Sequence, residues 1–335
     1  MDKGERMLDG YSVNDAAVMR IEQDMRPYQK QLQICFHTYP SGANVIDMGV
    51  YARAGFRAAK LFTEIGLGCL GELRYTKVKL GGRYLPCAAV YVDHPNVAEL
   101  SSHCAIWRVQ HCGVEKNFSG PARAKAQDAY SAAVPYSDAR AKKVVLAYQT
   151  HYLPSDGLVR LLAERAGVAP ANLYLLVART GTLTGAVQVA ARNVEQTLPT
   201  LLDKGFPVEC VVQAMGIAPI LAVNDDENDA YGRVNDALIY GQETHLDVDC
   251  EDAAIEELLH KLTMDQPGNA PVYGIPFKEI FAQCENDWCK LPREWDAPSR
   301  VCFYNLRTGR SFVAGKHRED VLLRAFWGEK GCAVL

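Results

Sequence analysis

Between Lys142 and Ala178 the chain reads "KKVVLAYQ", then "DGLVRLLAERAG", then "NLYLLVA". The outer two stretches are unbroken apolar runs of strand length, and the middle one repeats its apolar residues at helical spacing. This predicts two buried strands flanking an amphipathic helix. Helix and strand patterns alternate in the same way along almost the whole chain, so the expected fold class is α/β.

Other segments fit this alternation. "ARAGFRAAKLFTEIGLG" (52–68) has helical periodicity with a glycine-rich end, and "YLPCAAVYVDHP" (84–95) is a strand ending at Asp93, His94 and Pro95. The stretch from there to Trp107 is expected to be helical. "SGPARAKAQDAY" opens a helix with Ser119 as N-cap and Pro121 in the first turn, where its missing N–H costs nothing. "AVQVAARNVEQTLPTLL" (186–202) is expected as one helix, followed by a second short helix ending near Gly216 and a polar loop, "NDDENDA". "DALIYGQETHLDV" is a strand candidate, "GIPFKEIFAQC" is helical, and "RVCFYNLRTGRSFVAG" is a hairpin turning at Thr308 and Gly309. A division near residue 140 would give an N-terminal α/β domain (1–140) and a C-terminal α/β domain (141–335).

Composition removes several function classes. With 335 residues, 48% of them hydrophobic and 23% charged, the chain can bury a large core and is not disordered. The formal charge of −4 is near balance and the basic residues are scattered, which argues against nucleic acid or an anionic membrane as partner and for a small molecule. No apolar run reaches the roughly 18 residues of a membrane span, and the first thirty residues do not build a signal peptide, so a cytoplasmic location is expected. There the 11 cysteines, without a CxxC pair, are expected as reduced thiols. His103, Cys104, His111 and Cys112 could in principle gather as metal ligands, but a helix over the first pair would leave the second beyond its end; no metal is expected. The acidic loop lacks the Gly and Glu of a calcium loop, and the ending "CAVL", a prenylation-like box on Cys332, is read as coincidence.

Four segments are candidates for chemistry. On the helix 186–202, Val187, Ala191, Val194, Leu198 and Leu201 form an apolar side, and Gln188, Arg192 and Glu195 share an arc of roughly 60° beside it. The plain reading is an (i, i+3) surface pair. "ARTGTLTGAVQ" sets Thr180, Thr182 and Thr184 around two glycines, which suits a flat ligand or a simple connection. Ser119 and Gly120 at the start of "SGPARA", with Arg123 and Lys125 one turn inside, offer a seat for phosphate or carboxylate, or an ordinary helix start. Asn235 and Asp236 match the donor and acceptor edge of a heterocycle, or a turn cap. A nucleophile elbow, a P-loop and a dinucleotide fingerprint are all missing.

In order, "YSVNDAA", "VYVDHP", "SGPARA", "LTGAVQVAARNVE", "GIAPI", "GRVNDALIYG", "YGIPFKEIF" and "LRTGRSF" resemble the motif series of methenyltetrahydromethanopterin cyclohydrolases over roughly residues 11–315. The resemblance implies an enzyme of one-carbon metabolism in methanogenic archaea and methylotrophic bacteria. It would hydrolyse the methenyl bridge of a pterin to the formyl form without metal or redox cofactor. The implied fold is two abutting α/β domains with the active site in the cleft between them, commonly in a homotrimer. Arg192 and Glu195 match the family's catalytic Arg and Glu. Gln188, Thr184, Asn235, Asp236, Ser119, Gly120, Arg123 and Asp93 form the expected substrate-binding set.

Glu195 would deprotonate the attacking water, with Arg192 keeping the carboxylate ionised and aimed, and Gln188 would orient water or pterin. The sequence departs from the family pattern at Val234, where threonine is usual, and at Ile106, where glycine is usual. Pro199 cannot donate to the Glu195 carbonyl and is expected to kink or end the helix. The alternative reading is a paralogue that binds a pterin or folate without this activity or with another reaction.

Overall fold

The structure is a computed structural model that describes residue 8, residues 10–80 and residues 82–327. The C-terminal box around Cys332 lies outside the described residues. The chain divides into two compact units, Met1–Glu72 with Asn96–Gly185, and Leu73–Pro95 with Ala186–Leu335. The boundary expected near residue 140 falls inside the first unit, because a cut there would separate strands of one sheet.

In the first unit, β1 (Cys35–Thr38), β2 (Asn44–Asp47), β7 (Val144–Gln149) and β8 (Leu173–Ala178) form a sheet in the order β1-β2-β8-β7. β8 runs parallel to both its neighbours, and β1 is an antiparallel edge. The crossover from β7 to β8 carries α5 (Asp156–Arg165), whose N-cap Ser155 accepts from the Leu158 N–H at 3.2 Å. Every residue of β8 is buried, as a central parallel strand covered on both sides requires.

Alternation along the strands sorts the core into two faces. Val145, Ala147, Tyr174 and Leu176 pack with Ala17 of α1 (Val13–Arg20), Leu32 of α2 (Gln29–Leu32), and Ala58, Phe62 and Ile65 of α3 (Phe56–Gly66). Leu146, Leu175 and Val177 pack on the other side with Leu158 and Leu162 of α5 and with Trp107 and Phe118. Those two aromatics lie on the antiparallel hairpin β5 (Trp107–His111) and β6 (Val114–Phe118). The segment after Pro95 is thus helical only over Asn96–His103, and the expected helix to Trp107 gives way to a strand.

The second unit is built on a sheet in the order β12-β11-β10-β9-β4-β3. Its strands are β3 (Gly71–Leu80), β4 (Arg83–Val92), β9 (Val211–Pro219), β10 (Glu243–Val248), β11 (Arg300–Asn305) and β12 (Ser311–Gly315). β10 and β11 are parallel, while β9 is antiparallel to β4 and β10 and β12 is antiparallel to β11. The hairpin at Thr308 and Gly309 forms as expected, with Gly309 in the left-handed region at φ +70°.

Two sequence expectations are corrected here. Residues 211–219, expected to end a helix near Gly216, form β9, because they complete the hydrogen bonding of strands on both sides. The strand candidate from Asp236 begins only at Glu243; Asp236–Gly241 ends α8 (Glu227–Gly241). Part of the acidic loop starts that helix, with the Asp226 carboxylate accepting from the N–H groups of Asn228 and Asp229. Ile239 and Tyr240 of α8 pack with Phe277 and Ile280 of α10 (Phe277–Gln283) and with Val321 and Leu322 of α11 (Glu319–Trp327).

Thr244 and Leu246 on β10, with Val301 and Phe303 on β11, are buried on one face of this sheet. Glu243, His245, Arg300 and Cys302 alternate onto the other face and are partly exposed. The remaining helices are α4 (Ala122–Ala126), α6 (Leu183–Ala190), α7 (Thr197–Asp203) and α9 (Asp252–Glu256). Among the described residues, no helix is long and apolar enough to cross a membrane, and Cys35, Cys69, Cys87, Cys104, Cys112, Cys210, Cys250, Cys284 and Cys302 are free thiols.

Candidate active site

The segment expected as one helix over 186–202 is two. Its N-terminal part is α6, capped by Thr182, whose hydroxyl donates to the Arg179 carbonyl (2.7 Å) and accepts from the Gly185 N–H (3.2 Å). Glycine is required at 185, since a Cβ would sit 2.1 Å from the Arg179 carbonyl oxygen. After Ala190 a single turn, Ala191–Asn193, leaves the helical path at Arg192 (φ −80°, ψ 16°), and α7 starts at Thr197. Pro199 stands in the first turn of α7, where no N–H is needed, so the expected kink is realised as a break ahead of the proline.

Polar contacts with the sheet stabilise the break. The Asn193 carbonyl accepts from Gln242 Nε2 (2.9 Å) and Thr244 Oγ1 (2.7 Å), while the Thr197 N–H turns to the Val194 carbonyl (3.0 Å). Asn193 Nδ2 donates to the Ala88 carbonyl at 3.2 Å and the Ala190 carbonyl at 2.8 Å. The Asn193 side chain lies against Gly216 of β9, where a Cβ would meet Asn193 Oδ1 at 2.0 Å.

At this break Arg192 Nη1 and Glu195 Oε2 lie 3.7 Å apart, with side chains 13% and 14% exposed. The pair is therefore neither in bulk solvent nor sealed in the core. Gln188, buried one turn earlier, accepts from Arg192 Nε (3.3 Å) and Nη2 (3.2 Å) with a single oxygen, Oε1. Its carbonyl oxygen thus steadies the guanidinium fork, a positioning task beside the expected contact with water or pterin.

A second carboxylate, Asp296, stands near Glu195. Asp296 accepts from Gln196 Nε2 (3.0 Å) and Arg293 Nη1 (3.0 Å). Burial raises its pKa above the ordinary carboxylate range and the Glu195 charge adds to this, against the lowering effect of Arg293 and Gln196. Arg293 also reaches Thr200 Oγ1 (3.2 Å) and Asp203 Oδ2 (3.2 Å), tying the loop to α7. Arg293, Thr200, Lys204, His260 and Asn269 line a neighbouring cavity of about 440 Å³ in the same unit, and Arg192 and Glu195 are not among its lining residues. The sequence around "PREWD" carries no periodic or motif signal that points to Asp296.

The other expected binding residues sit on several elements. Asn235 and Asp236 are in the interior of α8, not at a strand start. Asn235 Nδ2 donates to the Tyr231 carbonyl (2.8 Å), and Asp236 Oδ1 accepts from the Phe277 N–H (2.7 Å) at the start of α10. Val234, in place of the usual threonine, is buried on the same helix. Asp93 follows the end of β4, with Gln213 Nε2 at 3.4 Å.

In the first unit, Ser119 exchanges backbone hydrogen bonds with Ala147, and Pro121, not Ser119, is the N-cap of the five-residue α4. Gly120 (φ +109°) is needed for close approach to β7, since a Cβ would lie 2.9 Å from the Val145 carbonyl oxygen. Arg123 is fully buried and is held by both Asp128 carboxylate oxygens (2.6 and 2.7 Å) and by the Leu100 (2.8 Å) and Ser102 (3.3 Å) carbonyls. The expected anion seat is therefore filled by the protein's own carboxylate and backbone. Thr184 is buried, and its hydroxyl makes no hydrogen bond with the described residues. His103 is buried against Glu99 (2.9 Å), His111 and Cys112 sit on the β5–β6 hairpin, and His103, Cys104, His111 and Cys112 form no ligand group among the described residues.

Comparison with known families covers almost the whole chain. Residues 12–326 match the family model described as Cyclohydrolase (MCH), and the chain belongs to that family. Methenyltetrahydromethanopterin cyclohydrolase of Methanococcus maripaludis is 34% identical over 326 residues, covering 94% of this chain and 98% of the relative. The enzymes of the same name from Methanococcoides burtonii (30% over 318 residues, 94% and 98%) and Methanothermobacter marburgensis (32% over 305 residues, 88% and 93%) are similar at comparable levels.

Proposed function

We propose that this chain hydrolyses the methenyl bridge of a tetrahydromethanopterin-type pterin to the formyl form, with Glu195 as general base and Arg192 as its electrostatic partner. The observation that carries the reading is the Arg192–Glu195 pair, fixed by Gln188 at a break in the helix. The full-length similarity to relatives named for this reaction supports it.

The bridging carbon of the substrate is an amidinium and already electron-poor, so the reaction needs a positioned water more than a Lewis acid, and no metal or cofactor enters the proposal. Glu195 takes one proton as water adds to the carbon. In the tetrahedral adduct the bond to one ring nitrogen breaks, that nitrogen receives the proton from Glu195, and the adduct hydroxyl loses its own proton to become the formyl oxygen. One proton is released overall. Arg192 keeps a positive charge beside the carboxylate when it is ionised. Thr184, whose hydroxyl is unpaired among the described residues, and Asp93, just after β4, stay in the proposed pterin-binding set, whereas Arg123 and Asp236 are committed to contacts of the fold. A homotrimer in the cytoplasm is part of the same proposal and is checked by light scattering and cell fractionation.

The test is loss of the methenyl chromophore on adding the protein, with Glu195→Gln alongside. The expected result is turnover by the wild type and a kcat lower by about 10²–10⁴ in the variant, with little change in KM. Tight pterin binding without turnover by the wild type would overturn the enzymatic reading in favour of a binding paralogue, and turnover of a folate analogue alone would move the substrate class.

A further inference from the structure

We propose that Glu243, His245 and Cys302, joined by His317, form a binding site for a divalent transition-metal ion of the zinc class, separate from the catalytic segment. Glu243 and His245 are two apart on β10 and so share a face, and Cys302 on β11 is the register partner of His245. One ligand atom from each of the three lies within 4.8 Å of the others. Tetrahedral zinc, with bonds of about 2.0–2.3 Å, holds its ligand atoms about 3.3–3.8 Å apart, so side-chain rotations of roughly an ångström close the set.

The fourth donor comes from beyond the end of β12. His317 Nε2 lies 3.8 Å from Glu243 Oε2, while His245 Nε2 is 2.6 Å from Glu243 Oε1, so the two imidazoles approach one carboxylate from its two oxygens. His317 Nε2 is buried and makes no hydrogen bond with the described residues. Two imidazoles, a carboxylate and a thiol are a borderline-soft N/O/S set that suits zinc or cobalt better than calcium or magnesium. On binding, the thiol proton passes to buffer and a metal–sulfur bond replaces it.

The position on the sheet sets the role. Thr244 on β10 and Gln242, just ahead of the strand, donate to the Asn193 carbonyl at the catalytic break, so Glu243 and His245, at alternate positions, point away from it. An ion here would tie β10, β11 and the segment after β12 together without touching Arg192 or Glu195. Arg300 opposes it: Arg300 Nε is 3.4 Å from Glu243 Oε2, and this partly exposed guanidinium must swing to solvent before a cation enters.

The test uses the full chain, stripped with a chelator and titrated with cobalt(II). One equivalent is expected to give near-ultraviolet sulfur-to-cobalt charge-transfer absorption that zinc(II) displaces. Cys302→Ser should abolish the band. His245→Gln should keep it but weaken affinity by about tenfold or more, and Arg300→Gln should tighten binding by removing a like charge. Replacing the exposed thiols Cys35 and Cys112 with serine should change nothing. No band in the wild type, a band that survives Cys302→Ser, or one lost with Cys35 and Cys112 would overturn the site. If Cys302→Ser does not fold, unchanged affinity in both His245→Gln and Arg300→Gln overturns it equally.

Discussion

Asn193 Oδ1 occupies the place where a β-carbon on Gly216 would sit, 2.0 Å from its ideal position. The helix break that carries Arg192 and Glu195 rests on this contact between a turn and a strand. Gly216→Ala must displace the Asn193 side chain, with Val194 also within 2.9 Å of the new methyl. We expect a stability loss of about 1–3 kcal/mol, as for overpacking of a filled core, and a fall in kcat larger than the change in KM. Urea unfolding and steady-state kinetics on one preparation check both; unchanged kinetics would separate the break from catalysis.

Arg192 makes two bonds to Gln188 while a third nitrogen faces Glu195. Lysine, a point charge on a single nitrogen, cannot reproduce this planar fork. Arg192→Lys is expected to fold normally by circular dichroism and to lose roughly 10–100-fold in kcat through misplacement of the carboxylate's partner. Wild-type turnover in this variant would show that charge alone suffices.

Arg123 distinguishes an anion seat from a structural ion pair. Its guanidinium is buried on Asp128 and two carbonyls, so Arg123→Ala leaves a carboxylate and two acceptors without their donor and should cost about 3–5 kcal/mol. Arg123→Lys should lower thermal stability with KM for the pterin unchanged. A raised KM at undiminished stability would restore the ligand role expected from the sequence.

Burial pushes the Asp236 carboxyl up to about 7, against the lowering effect of the Phe277 N–H. The unfolded chain ionises this group near the usual carboxylate value of about 3.9, so the folded protein holds the extra proton between those two pH values. Its contribution is fully present below pH about 4 and is lost as pH rises through about 7. Asp236→Asn keeps an acceptor for the Phe277 N–H and removes the ionisation. Relative to the wild type, it should gain about 2–4 kcal/mol of stability across that window. Denaturant unfolding at several pH values reads the difference, and parallel pH profiles for the two proteins would contradict it.

The sequence by itself determined the elements whose signal is local. β7, α5 and β8 announce themselves by apolar runs around an amphipathic helix, and the Thr308–Gly309 hairpin by its turn residues. Gln188, Arg192 and Glu195 were legible as a group because they are close in the chain and stand in a recognisable motif. Only the tertiary structure decided that the helix breaks between them. The apolar stripe from Val187 to Leu201 continues through the break, and the groups that hold it, Gln242 and Thr244 on the Asn193 carbonyl and Gly216 against the Asn193 side chain, are distant in sequence. The same holds for residues 211–219, which became a strand through neighbours on both sides, and for Asp296, which meets Gln196 across 100 residues. Periodicity and turn chemistry are properties of a few consecutive residues, whereas a buried polar group takes whatever partner the packed chain brings to it.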